Sequence, residues 1–134
     1  MATRQRKTQL SELQLAVMRA LWRRGEATTA EVVADLAAER GLAHTTVATL
    51  LTRLEKRGAV AQRRDGRSFI YRARLSETEV QRSMVAGLVA ALFAGDSAAL
   101  VAHLVREDEV TPGDLAAIRA RLEANPAKNE SEDA

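Results

Sequence analysis

Apolar residues recur at spacings of three and four from Leu10: Leu10, Leu13, Val17, Met18, Leu21 and Trp22 draw the stripe of an amphipathic helix. Ser11, three residues ahead of Gln14, predicts a capping box at its start, and Gly25 marks its end. A second box, Thr28 with Glu31, opens a shorter helix whose buried face is Val32, Val33, Leu36 and Ala37 and which stops near Gly41. A third helix is expected from about His44 to Arg57, where Gly58 supplies the left-handed residue that ends it. The period then changes. Val60 to Arg64 and Arg67 to Arg74 read as two strands around a two-residue turn at Asp65-Gly66, with Phe69, Tyr71, Ala73 and Leu75 on one face. Helical spacing returns after Leu75. Ser76 with Glu79 caps a helix striped by Val80, Met84, Leu88 and Leu92 up to Gly95. Asp96 or Ser97 opens the next, with Leu100, Val101, Leu104 and Val105, and Thr111-Pro112 opens a last one, with Leu115, Ile118 and Leu122, that Pro126 stops.

Three short helices followed by a hairpin have the outline of a winged helix-turn-helix. The fold class expected is therefore mainly α with a small β-hairpin: a winged helix-turn-helix over residues 10–75 and a helical dimerisation segment over residues 76–124. A basic flexible tail, residues 1–9, precedes them, and a polar, disordered tail, residues 125–134, follows. The C-terminal helices are too short to close a core alone. A second copy of the chain is expected to cover Met84, Leu88, Leu92, Leu100, Leu104, Leu115, Ile118 and Leu122.

On a helical wheel the third helix separates cleanly. Val47, Leu50, Leu51 and Leu54 form one side, and Thr45, Thr49, Thr52 and Lys56 the other, flanked by Ala48 and Arg53. Short hydroxyls approach base edges closely, and Thr methyls and Ala48 suit thymine methyl groups. Arg53 and Lys56, later in the helix, are placed for phosphate contact. A solvated polar face is the bland alternative for such a helix taken alone; the preceding helices and the hairpin turn the balance to DNA recognition. The hairpin adds Arg63, Arg64, Arg67, Arg72 and Arg74, whose guanidinium forks match phosphate oxygens. Some of that charge also protects a sheet edge from aggregation. The tail residues Arg4, Arg6 and Lys7 are further candidates for phosphate contact.

Charge strengthens this picture. The 134 residues have a formal net charge of only +2. Residues 1–74 nevertheless hold 15 Lys and Arg against 7 Asp and Glu, a balance of +8, and residues 75–134 hold 5 against 11, a balance of −6. A basic half joined to an acidic half points to one half facing a polyanion.

The chain has no Cys, which excludes disulfides, thiol catalysis, Cys-based zinc sites and copper-thiolate sensing. No nucleophile elbow, phosphate loop or His-Glu metal motif is present, so neither catalytic residues, nor a cofactor, nor a metal are expected. The two histidines, His44 and His103, lie in different segments and are expected to be surface or interface residues. No apolar run reaches the ~18 residues of a membrane span, and a cytoplasmic location is expected. Trp22 is expected in the core. Gly87, inside a predicted helix, either marks close helix approach at the dimer interface or is merely tolerated.

Several blocks together resemble the penicillinase-repressor family of bacterial transcription regulators, the BlaI/MecI/CopY type. They are Leu10-Ser11 with Leu13 and the Val17-Met18-x-x-Leu21-Trp22 run; Thr45-Thr46-Val47-x-Thr49-Leu50-Leu51-x-Arg53-Leu54; Lys56-Arg57-Gly58; Gly66-Arg67-x-Phe69-x-Tyr71; and Phe93-x-Gly95-x-Ser97-x-x-Leu100-Val101. The resemblance spans Leu10 to Leu122. It implies a homodimeric repressor on palindromic operators built from TACA and TGTA half-sites, with recognition helices entering major grooves ~34–36 Å apart. By motif, Thr45, Thr46, Thr49 and Arg53 fall on the recognition helix and Arg67 on the wing. Copper-responsive members end in Cys-x-Cys motifs, absent here. In β-lactam-responsive members an antirepressor, a membrane metalloprotease, cleaves an Asn-Phe bond; the aligned position here is His103-Leu104. Many members carry an aromatic residue before the recognition helix, where this chain has Leu42-Ala43-His44.

The DNA-binding residues expected are thus Thr45, Thr46, Thr49, Thr52, Arg53, Lys56, Arg63, Arg64 and Arg67. The partners are double-stranded DNA, a second copy of the chain and, by resemblance, a metalloprotease antirepressor. The competing reading is a winged-helix protein-interaction module; such a module has no need of the charge division and would expose apolar residues on its third helix.

Overall fold

The computed structural model describes residues 9–124. In chain order it contains α1 (Glu12–Arg24), β1 (Glu26–Thr28), α2 (Thr29–Leu36), α3 (His44–Lys56), β2 (Val60–Asp65), β3 (Ser68–Ala73), α4 (Glu77–Phe93), α5 (Ser97–Arg106) and α6 (Pro112–Ala124). The chain divides into two compact units, the first reaching Gly87 and the second beginning at Leu88. The division expected from sequence lay at 75/76. The difference arises because α4 gives its first turns to the first unit: Val80 is fully buried in that core and Met84 packs against it.

In the first unit, local chemistry sets where the helices begin. Ser11 and Gln14 exchange side-chain and backbone hydrogen bonds at the head of α1, and Thr28 and Glu31 do the same at the head of α2. The two boxes satisfy N–H groups that have no partner inside the helix. α2 is shorter than its hydrophobic pattern implied; it ends at Leu36 and leaves Ala37 exposed. α3 closes with a Schellman arrangement in which the Gly58 N–H donates to the Glu55 carbonyl and the Ala59 N–H to that of Leu54. Gly58 takes a φ of 79° there, a left-handed value that costs glycine little.

The apolar faces of α1, α2 and α3 meet in one core around Val17, Met18, Leu21, Val32, Leu36, Val47, Leu51 and Leu54. Trp22 lies at its edge, partly buried, and its Nε1 donates to the Leu75 carbonyl at 2.9 Å. Tyr71 closes the sheet side of the core, and burial pushes its hydroxyl pKa up, with the nearby Glu55 charge adding to the shift.

The β structure is larger than the expected hairpin. β1 pairs antiparallel with β3, through Glu26 to Arg72 and Thr28 to Ile70, and makes a three-stranded sheet in the order β1-β3-β2. The hairpin register also differs from the expected one. Asp65 pairs with Ser68, so the central turn residues are Gly66 and Arg67 rather than Asp65 and Gly66. Gly66 has a φ of 63° and Arg67 is not in the positive region. One positive φ, at the first central residue, is the requirement of a II′ turn, whereas an Asp-Gly I′ turn would need two.

In the second unit, Asp96 caps α5 and Thr111 with Asp114 caps α6. The Phe93 and His103 rings meet with centroids 5.9 Å apart. Among the described residues of α5 and α6 none is buried. Leu92 is 70% exposed and Leu115, Ile118 and Leu122 are all exposed. Among the described residues no single helix is long and apolar enough to cross a membrane.

Candidate nucleic-acid interface

Burial of Val47, Leu50, Leu51 and Leu54 fixes the rotation of α3 about its axis. Thr45, Thr46, Thr49, Thr52, Arg53 and Lys56 are all exposed as a result, and Ala48 is half-buried. Thr45, Thr49, Thr52 and Lys56 lie within ~60° of one another around the helix, with Arg53 beside them. The Thr49 hydroxyl donates to the Thr45 carbonyl at 3.0 Å, and the Thr52 hydroxyl to that of Ala48 at 2.9 Å.

The head of α3 differs from the others. Its N-cap is Ala43, in extended conformation, and no side chain bonds to the first-turn N–H groups. These groups and the helix dipole leave a partial positive charge at that end. Serine, threonine or aspartate side chains cap α1, α2, α5 and α6, so Ala43 is the departure that a scan for cap residues would have flagged.

The basic residues sort into two groups. Four have structural partners. Arg24 binds Asp35 through two nitrogens, at 2.6 and 2.7 Å, and also Glu31. Arg40 binds Glu12 at 2.7 Å. Arg57 reaches the Gln14 side-chain oxygen and the Gln9 carbonyl. Arg63 reaches diagonally over β3 to Glu26 at 2.9 Å. Arg63 is among the residues expected on DNA; its guanidinium is held by an acid on the far strand, an exposed pair that a phosphate would have to displace. These contacts set carboxylate ionisation too. The Arg24 hydrogen bond holds Asp35 below the usual range, the Thr28 backbone and hydroxyl do so for Glu31, and Arg40 for Glu12.

The remaining cations face solvent. Arg53, Lys56, Arg67, Arg72 and Arg74 have no ion-pair partner among the described residues and all are exposed. Arg67 sits in the turn of the wing. Arg64 donates to the Gly66 carbonyl and lies 5.9 Å over the ring of Phe69, its cross-strand neighbour. Phe69, next to the turn, is 45% exposed, whereas Tyr71, two residues further along the strand, is buried. Arg4, Arg6 and Lys7 lie outside the described residues.

Among the described residues no group of His, Cys, Asp or Glu is placed to hold a metal ion. The first compact unit thus carries both a polar helix face with one open end and an arginine-bearing turn, groups suited to a groove and its phosphates.

The family model described as Penicillinase repressor matches residues 10–124. The chain belongs to the penicillinase repressor family. The transcriptional regulator BlaI of Mycobacterium tuberculosis is 39% identical over 120 residues, which are 87% of each chain. The penicillinase repressor of Bacillus licheniformis is 25% identical over 103 residues, 77% of this chain and 80% of that one. A solution structure of the DNA-binding domain of the repressor BlaI overlaps 54% of this chain and 88% of that one, with 32% identity and a TM-score of 0.49. As a family member the protein is a transcriptional repressor of the BlaI/MecI type and not an enzyme.

Proposed function

We propose that this repressor acts in the cytoplasm as a homodimer on a palindromic operator, reading each half-site with α3 and holding the flanking phosphates with the wing. The observation behind the reading is the exposed Thr45, Thr49 and Thr52 stripe beside the unpaired Arg53 and Lys56, in the same compact unit as Arg67. Thr46 on α3 and Arg64 beside the wing turn add to it, and the open head of α3 suits a phosphate. Arg63 contributes only if DNA displaces Glu26. The family resemblance gives the half-sites as TACA and TGTA.

A second copy is the natural cover for the C-terminal apolar residues. Leu88, Leu92, Leu115, Ile118 and Leu122 are exposed, and Leu100 and Leu104 are half-buried. Met84 plays at most a bridging part, since it already packs on the first core. In this reading residues 10–75 bind DNA and residues 76–124 dimerise. Proteolysis by a metalloprotease antirepressor at His103-Leu104 would release the operator. His103 is exposed, which supports access, although the bond lies within α5 and cleavage requires that helix to open locally.

Gel retardation with a palindromic TACA/TGTA duplex tests the proposal. The expected result is retention of the palindrome over a scrambled duplex, with two chains per duplex and affinity falling steeply as salt rises. Equal retention of both duplexes, or specific binding indifferent to salt, would overturn it.

A further inference from the structure

Accounting for the hydroxyl protons on α3 says what chemistry its groove-facing stripe presents. A Thr hydroxyl has one proton and two acceptor lone pairs. Thr49 gives its proton to the Thr45 carbonyl at 3.0 Å and Thr52 gives its own to the Ala48 carbonyl at 2.9 Å. Both side chains are nonetheless exposed. They meet a ligand with methyl carbon and hydroxyl lone pairs, and with no hydrogen-bond donor. Ala48, half-buried on the flank of the stripe, adds another methyl. Arg53 and Lys56, the nearest charged donors, flank this stretch or follow it.

The two kinds of base pair in a major groove ask for different groups. Guanine shows two acceptors, N7 and O6, and is read by donors such as an arginine fork. A thymine·adenine pair shows two acceptors as well, adenine N7 and thymine O4, and its adenine N6 amino donor is matched by the cytosine N4 amino group of the other pair; only the thymine C5 methyl has no counterpart there. Hydroxyl lone pairs can accept from the amino donor of either pair, so it is the methyls of this surface, which complement the thymine methyl alone, that discriminate.

We infer that Thr49 and Thr52 are specificity-determining residues that select thymine·adenine pairs through the thymine C5 methyl, with their hydroxyl oxygens accepting from adenine N6, rather than by donating hydrogen bonds to the bases. The inference rests on the proposed placement of α3 in the major groove. It assigns the discriminating contact to the methyl, so deleting one methyl from either partner has a defined consequence.

The test begins with the full chain and a random duplex pool, from which a preferred duplex is selected. That duplex is then compared with a version carrying deoxyuridine for thymidine, which differs only by the C5 methyls. Affinity is expected to fall about four-fold for each methyl in contact. Thr49→Val keeps the methyl and deletes the hydroxyl; Thr49→Ser does the reverse. The valine variant should retain its loss on uracil DNA, and the serine variant should bind thymine DNA more weakly and lose most of its discrimination against uracil. Equal binding of thymine and uracil duplexes by the unmodified chain, or a serine variant that discriminates as strongly as the parent, overturns the methyl reading alone. A pool that yields no preferred duplex overturns both it and the proposed DNA recognition.

Discussion

The guanidinium of Arg57, just beyond the end of α3, donates to the backbone carbonyl of Gln9 at 2.6 Å, across 48 positions of sequence. A second nitrogen of the same group donates to the Gln14 side-chain oxygen, which also accepts from the Ser11 N–H. The tail of α3 is thereby tied to the head of α1. Gln9 also lies against α4: a Cβ added at Gly87 would stand 3.1 Å from its side-chain nitrogen. The close approach at Gly87 is thus to a neighbour in the same chain.

Arg57→Ala removes this clasp and leaves the Gln9 carbonyl without that donor. Stability should fall by about 1–2 kcal/mol, the usual range for a partly exposed hydrogen bond from a charged group. Urea denaturation followed by circular dichroism measures it. A midpoint equal to that of the parent chain would mean that the clasp contributes nothing.

Arg67→Ala should weaken binding to operator and random DNA alike and reduce the slope of log K against log salt by about one. The wing turn is exposed and Gly66 supplies its positive φ, so the fold should survive. Titration at several salt concentrations gives the slope. A loss confined to the operator would instead place Arg67 on a base.

Ala43→Asp places a cap at the head of α3, which lacks one, in a backbone already extended as a cap requires. The variant should be more stable by about 0.5–1 kcal/mol and should bind DNA less tightly, because its carboxylate competes for the N–H groups and repels phosphate. Thermal melting and DNA titration on one sample check both signs. Tighter DNA binding would remove the head of α3 from the interface.

Asp35, Glu31 and Glu12 are held below the normal carboxylate range by Arg24, Thr28 and Arg40 respectively. Their folded-state values lie below the unfolded ones, so their contribution is complete above the unfolded carboxylate values and disappears as pH falls through the folded ones. Stability should therefore drop on acidification below about pH 4, and less so for Arg24→Gln, which loses the Asp35 contact. Denaturation midpoints across the acid range test this. Identical pH profiles for parent and variant would detach the effect from Arg24.

Leu92→Lys combined with Ile118→Lys should convert a dimer to a monomer with the first unit intact, because both side chains are exposed within the chain. Light scattering reads the mass and circular dichroism the helix content. A dimer that persists in the double variant would locate the interface elsewhere.

Much of the architecture was legible in short-range patterns. Stripes at three and four spacing marked all six helices among the described residues, and Ser11-Gln14, Thr28-Glu31 and Thr111 are among the residues that marked where they begin. The rotation of α3 followed from four apolar residues alone. The interface was only partly legible: Thr49 and Arg53 were visible as a polar face, whereas Arg63 was not visible as Glu26's partner, because nothing local connects residues 37 apart in sequence.

The sequence by itself determined the helices, their caps, the polar face of α3 and the division of charge, since each depends on neighbours within about one helical turn. Only the tertiary structure decided that Glu26–Thr28 is a strand, since three residues have no period of their own until β3 offers them hydrogen-bond partners. It also set the turn at Gly66-Arg67 through cross-strand register, and drew Val80 and Met84 into the first unit. Which arginines are tied into the fold was settled in the same way, by the distant acids and carbonyls that folding brings within reach of a guanidinium.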